Sequence, residues 1–443
     1  MIDVLLYVLG ILIVLVGLAV SIGLHEIGHL VPAKLFGVKV TQYMVGFGKT
    51  LWSRKKGETE YGVKAIPLGG YVAMTGMYPP NQPGETPRAS TTGFLNSVVD
   101  EARLASADTI SDGEDYRTFY RLPVLKKIII MLGGPFMNLV LAFVFFGIVL
   151  VGFGVPQYTT TLGQVSECLT PASSSATACS AGDPAAPGAA AGLRPGDTVL
   201  EVDGTSIDSW EQFRAIVGEA PGAPLAVVIE RDGAQKTVTL TPEPNERAVV
   251  DENGRAVTDT NGEYKTEQVG MIGASPAVAQ VRQPITAIPQ FVGQNIEQVV
   301  GIVVRLPQRM VDVWNAAFGA DERDPNGPIS VVGVGRIAGE VASASEVDIA
   351  ARAQTMFGLL GSLNIALFVF NLVPLMPLDG GHVAGALYEG AKRRIAKWRG
   401  KADPGPVDTA RMVPVTFAVV AVLGAMSVLL IYADLVKPVS LFG

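Results

Sequence analysis

Charge is scarce in this chain. Only 17% of its 443 residues are Asp, Glu, Lys or Arg, whereas 49% are hydrophobic, and mean hydropathy is positive. A soluble domain has about a quarter of its residues charged, so a membrane protein is the leading class. Positive charge is the scarcer sign. The chain has 34 Lys and Arg against 41 Asp and Glu, a net charge of −7, which argues against nucleic acid as a partner. No Lys or Arg precedes Lys34. The basic head of a secretory signal peptide is missing, and the first apolar stretch therefore reads as retained in the mature chain. Cysteine is limited to Cys168 and Cys179, whose spacing matches no zinc ribbon or finger. If their stretch lies outside the cytosol a disulfide is available to them, and two separate thiols are the other option. Histidine occurs only at positions 25, 29 and 382.

Four uncharged apolar runs are long enough to span a bilayer: Val4–Leu24, Ile128–Val155, Met356–Leu378 and Met412–Ala433. The first ends in His25-Glu26-Ile27-Gly28-His29. On a helix His25 and His29 are i and i+4, so both imidazoles reach one metal ion, and Glu26 reaches that metal's open position. Ionisable groups at membrane depth are costly and mark function. In the second run, Gly133-Gly134-Pro135 is either a kink or a short interfacial start.

Basic residues set the orientation. Residues 34–127 carry 13 Lys and Arg, and 379–411 carry 6 before Arg411, while the much longer 156–355 carries 13. This density places 34–127 and 379–411 in the cytosol, and the middle segment and both termini outside. Glycine-punctuated stretches at Val45–Gly48, Tyr61–Ile66 and Gly69–Val72 predict a small sheet. It serves either as an edge strand for an extended peptide or as a packing hairpin. Residues 79–122 form a polar insert.

Within 160–280, Gly192 to Gly204 reads as a turn, a strand and a tight turn. A helix over Ser209–Val217, strands at Leu225–Glu230 and Lys236–Leu240 around an Asp232-Gly233 turn, and a last strand near Val269–Ile272 follow. Asn253-Gly254 and Asn261-Gly262 read as turns in an insert. The whole stretch resembles a PDZ domain, a module that takes extended peptide segments as an added strand. Residues 281–355 are helical or juxtamembrane; the apolar pattern over Gln290–Trp314 fits either a helix on the membrane surface or an ordinary packed one.

A catalytic zinc needs a third ligand and an open position. Asp379 is the candidate. It ends the third apolar run within Asn371-Leu372-Val373-Pro374-Leu375-Met376-Pro377-Leu378-Asp379-Gly380-Gly381-His382, where two prolines break the helix. A helix cap is the other use of Asp379, and His382 is a weaker candidate for the same coordination position.

Together, HEIGH on the first span, the PDZ-like insert and NLVPLMPLDGGH on a later span resemble the site-2 protease family of intramembrane zinc metalloproteases. The similarity is to its bacterial group with four spans and PDZ domains between the second and third. Gly69–Val72, Phe119 to Asn138 and Gly327-Pro328-Ile329 support it. The resemblance implies Zn2+ held by His25, His29 and Asp379, Glu26 as general base, Asn371 and Pro374 near the substrate, and His382 in a supporting role. It implies hydrolysis of peptide bonds within transmembrane segments of single-span proteins, such as anti-sigma factors and remnant signal peptides. Two departures stand out: one PDZ-like domain rather than two, and the insert over 79–116.

The expected fold is a polytopic α-helical membrane protein, with four transmembrane helices, a small cytosolic membrane-associated β-sheet and an inserted α+β PDZ-like domain. Its segments are 1–37, 38–78, 79–122, 123–156, 160–280, 281–355, 356–382, 383–411 and 412–434. The expected setting is the plasma or inner membrane, with lipids, single-span substrates and PDZ-bound peptide segments as partners. Two readings of other classes compete: a PDZ-bearing scaffold with a vestigial HEIGH, and a metal transporter. A vestigial site should have lost Glu26 or Asp379, and a transporter should carry more polar groups along its spans.

Overall fold

The computed structural model describes residues 2–79, 94–110, 113, 115–169, 179, 185–248, 265–320, 322–324 and 327–439. It divides into two units, Met1–Phe153 with Pro284–Gly443, and Gly154–Gln283.

The first unit begins with α1 (Ile2–Leu35), which carries the uncharged run and extends it by nearly three turns past Leu24. Its outward side chains are apolar and bare: Leu5 is 69% exposed and Val16 61%. Only hydrocarbon makes such a surface inexpensive. Then come β1 (Val40–Lys56) and β2 (Thr59–Met74), an antiparallel pair. The strands do not stop at their glycines, as the punctuation had suggested. They bend there, so Met44 pairs with Gly62 on one side and with Tyr71 on the other. Gly46 and Gly48 take φ of 95° and 82°, which lets the strand turn without ending.

Within the polar insert, α2 (Phe94–Ala107) is helical. Its Arg103 is buried, bridging Asp100 at 2.8 Å and Asp408 near the start of the last span. Next, α3 (Val124–Gly147) runs unbroken through Gly133-Gly134-Pro135 and continues in a π-helical turn, Ile148–Phe153. The helix therefore does not start at the glycines, which serve close packing.

The second unit contains β3 (Val155–Val165), the short α4 (Pro187–Ala190), β4 (Thr198–Val202), β5 (Thr205–Ser206) and α5 (Trp210–Glu219). It continues with β6 (Leu225–Arg231), β7 (Ala234–Leu240), β8 (Glu243–Ala248), β9 (Thr266–Met271) and β10 (Ala274–Val281). The main sheet has the order β10-β3-β4-β6-β7 with β5 on β4, and β8 pairs with β9. Asp232-Gly233 turns with both φ positive, as a two-residue hairpin loop requires. Ser209 caps α5 by accepting from the Gln212 N–H at 3.2 Å. Leu162, Val199, Val202, Phe213, Val227, Ile229 and Leu240 form a closed core. Cys168 and Cys179 are joined in a disulfide. The Asn-Gly pairs at 253 and 261 lie outside the described residues.

Back in the first unit, α6 (Ala287–Val304) and α7 (Leu306–Phe318) cover the apolar stretch around Gln290–Trp314. They pack on the helices Ile349–Asn371 and Val413–Val436 respectively. The helix α8 (Val331–Ser343) lies against α1, burying Val334, Ile337, Ala338 and Val341 with Val14. The third apolar run is not helical to Leu378: α9 (Ile349–Asn371) ends seven residues earlier. Pro374 and Pro377 have no N–H to continue the ladder, and 372–378 is irregular. Helix α10 (Asp379–Trp398) starts at the carboxylate and takes up much of the basic loop. The last span is α11 (Val413–Val436). Among the described residues, four helices are long and apolar enough to cross a membrane: Ile2–Leu35, Val124–Phe153, Ile349–Asn371 and Thr409–Val436.

Candidate metal centre

Helical spacing brings His25 and His29 to one face of α1, with their Nε2 atoms 3.2 Å apart. The break after α9 turns α10 so that its first residue meets them. Asp379 Oδ2 lies 3.3 Å from His25 Nε2 and 3.4 Å from His29 Nε2. That oxygen is buried and accepts no well-formed hydrogen bond among the described residues. Two imidazole nitrogens and a carboxylate oxygen thus converge on one point, a donor set that suits a tetrahedral zinc with one position open.

Room for an ion comes from α3. Gly28 and Gly133 let the two helices meet backbone to backbone: a Cβ at 133 would fall 1.9 Å from the Gly28 carbonyl oxygen. Gly134 then faces the imidazoles, where a Cβ would fall 2.2 Å from His29 Nε2 and 2.6 Å from His25 Nε2. Helix α3 also holds the far side of each ring. His29 Nδ1–H donates to the Ile130 carbonyl at 2.7 Å, which turns Nε2 toward the common point. Asn138 Nδ2 stands 3.0 Å from His25 Nδ1.

Glu26 is buried on the same helix and lines a cavity of about 380 Å³ with both histidines, Asp379, Gly70 and Tyr71. The backbone of β2 lies on it, since a Cβ at Gly70 would come within 2.8 Å of Glu26 Cγ. Tyr43 ties β1 to α1 by donating to the Gly23 carbonyl at 2.8 Å. Burial, and then the Glu26 carboxylate, push its phenol up to about 12, so the hydroxyl remains a donor. Met74, Met77 and Met131 give the cavity an apolar wall.

Of the residues singled out in the sequence, His25, Glu26, His29, Asp379, Asn371 and His382 all line this cavity. Pro374 does not; it is exposed, and Pro377 stands at the cavity instead. The Asn371 amide donates to the Leu367 carbonyl of its own helix at 3.0 Å. Gly133, Gly134 and Asn138 lie in a stretch that supports the family resemblance, but their roles beside the imidazoles do not follow from sequence, because a backbone carbonyl and a glycine carry no chemical label.

Comparison with known proteins shows the family of the chain. Residues 13–402 match the model of Peptidase family M50. The chain is 32% identical over 445 residues to zinc metalloprotease Rip1 of Mycobacterium tuberculosis strain H37Rv, covering 99% of this chain and 100% of that protein. It is 32% identical to Rip1 of Mycolicibacterium smegmatis, over 98% of this chain and 99% of that one. Metalloprotease MmpA of Caulobacter vibrioides is 29% identical over 87% of this chain and 89% of its own length. The chain belongs to peptidase family M50, the site-2 proteases, and is a multi-pass membrane zinc metalloprotease of the intramembrane type.

Proposed function

We propose that His25, His29 and Asp379 hold the zinc and that Glu26 is the general base for hydrolysis of peptide bonds in the membrane segments of single-span proteins. The carrying observation is the convergence of three ligand atoms within 4.8 Å, with Glu26 opening on the same cavity. When bound, zinc supplies a Lewis acid that activates water near neutral pH and polarises a carbonyl. Glu26 takes the proton of the attacking water and delivers it to the leaving amine.

A transmembrane helix shields its peptide bonds with its own i→i−4 hydrogen bonds, so the substrate must be locally extended at the site. The Gly70–Val72 stretch of β2 lines the cavity and offers backbone groups to such a segment. Asn371 stands across from it, able to exchange its bond to Leu367 for one to the substrate backbone. The Met74, Met77 and Met131 wall suits apolar side chains from a membrane helix.

The second unit reads as the PDZ-like module. Support comes from its strand–helix–strand order and from a groove of about 370 Å³ between α5 and β9, lined by Trp210, Phe213, Val217, Gly270 and Ile272. That groove suits an extended apolar peptide. On the density of basic residues this unit lies outside the cytosol, where the disulfide persists. The substrate class is single-span membrane proteins such as anti-sigma factors, together with remnant signal peptides.

Glu26→Gln in purified protein tests the site. Zinc content is expected to be unchanged, with cleavage of a model transmembrane peptide lost. Cleavage at the parent rate would overturn the assignment.

A further inference from the structure

A histidine that gives Nε2 to a metal carries its proton on Nδ1 and must donate it to something. For His29 the acceptor is a backbone carbonyl, that of Ile130. For His25, among the described residues, the group at Nδ1 is the side-chain amide of Asn138, fully buried on the next turns of α3. Its Nδ2 is 3.0 Å from the ring, and its Oδ1 is buried with no hydrogen-bond partner among the described residues. A half-turn about the last side-chain bond exchanges the two atoms and sets Oδ1 against Nδ1. The exchange pairs Oδ1 with the Nδ1–H that a metal-bound His25 must donate, and moves the amide N–H groups to the place the oxygen held.

We propose that Asn138 is a positioning residue of the metal centre, accepting the Nδ1–H of His25 through Oδ1 so that Nε2 faces His29 and Asp379. This rests on the ligand assignment made above. Glycine at 134 and asparagine at 138 are one turn apart on the same face of α3. One makes room for the ion, and the other aims the ligand at it. Serving a single nitrogen either as donor or as acceptor requires a group with both capacities, and an amide is the neutral side chain that has them in one plane.

The test uses the full chain in detergent micelles, with Zn2+ affinity measured by competition against a chromophoric chelator. The Co2+ ligand-field spectrum gives a second reading. Asn138→Leu keeps the side-chain size and removes the acceptor; a 10–100-fold weaker Zn2+ affinity is expected, with a shifted Co2+ spectrum. Asn138→Ala serves the same purpose if the leucine variant does not fold. Asn138→Asp restores an acceptor and is expected to bind Zn2+ within a few-fold of the parent chain. A purely packing role predicts the opposite order, because a carboxylate fits a buried apolar site worse than leucine does. Parent-like affinity in Asn138→Leu, or equal loss in Asn138→Asp, overturns the proposal. His25→Ala separates the two levels. If it abolishes tight Zn2+ binding while Asn138→Leu does not, the ligand assignment stands and the role of Asn138 falls. If His25→Ala leaves affinity unchanged, the ligand assignment itself falls.

Discussion

Gly134→Ala removes no functional group, yet the structure predicts that it disables the metal centre. The added Cβ would stand 2.2 Å from His29 Nε2 and 2.6 Å from His25 Nε2, where ordinary contact begins near 3.4 Å. The rings must therefore withdraw by about 1.2 Å and 0.8 Å, the differences between 3.4 Å and those distances. Metal–ligand distances tolerate about 0.2 Å. Displacing two of three ligands by several times that amount should weaken Zn2+ binding by at least about 100-fold, with activity falling as far. The fold should suffer less, because the strain falls on two side chains; overpacking of this kind costs about 1–3 kcal/mol. Gly133→Ala is the contrast. Its Cβ meets the Gly28 carbonyl oxygen at 1.9 Å, backbone against backbone, so α1 and α3 must separate. The assay is bound zinc after dialysis against a buffered free-metal series, alongside thermal unfolding in micelles. Gly134→Ala should lose zinc at a small cost in melting temperature, and Gly133→Ala should lose both. Stoichiometric, parent-affinity zinc in Gly134→Ala would refute the geometry on which the site is built.

Two other perturbations probe the remainder of the molecule. Asp434, buried near the end of α11, pairs with Arg323 at 2.8 Å and accepts from the Ser330 N–H that opens α8. Asp434→Ala leaves a buried guanidinium uncompensated and should cost about 3–5 kcal/mol, read as thermal stability in micelles. An unchanged melting temperature would show the pair to be idle. In the second unit, burial alone would push the Asp197 carboxyl up, but hydrogen bonds from Arg231 and from the Arg194 N–H outweigh it and hold it below its usual 3.8. A depressed folded value means stability fully present above the unfolded value and lost as pH falls through the folded one. Hydrogen-exchange protection over 197–231 in the full chain, taken relative to the intrinsic exchange rate at each pH, should therefore fall on acidification below about pH 4, and Asp197→Asn should remove that dependence. An identical profile in the variant would show that another carboxylate is responsible.

What the sequence made legible followed from how each feature is encoded. The uncharged run into HEIGH is explicit, because a span needs length without charge and two ligands on one helix need a spacing of four. The second unit was legible because alternation and an Asp-Gly turn are local signals, and they placed β6, β7 and α5 within a residue or two. Helix α10 was hidden by its charge. Ala391 to Trp398 was read for its basic residues, although Ala, Lys and Arg are strong helix formers. Helix α8 falls within the broad helical or juxtamembrane reading of 281–355, but its bounds were not legible. Val-Val-Gly-Val-Gly is poor helix sequence, and its burial against α1 overrides the propensity. The long hairpin was misjudged as three short strands because glycine was read as punctuation where it acts as a bend.

The part least visible in sequence is the contribution of α3, and the bilayer explains why it matters. Lipid gives helices no hydrophobic reason to associate, so α1 and α3 are joined by close van der Waals packing, which only small residues permit. Gly28 against Gly133 sets that distance. The same distance sets where the Ile130 carbonyl and Asn138 meet the two imidazoles, 101 and 113 residues away in the chain. Helix packing and ligand aim are therefore a single variable here. A chain can keep His25, Glu26, His29 and Asp379 intact and still lose its metal by enlarging one small residue on a helix that supplies no ligand at all.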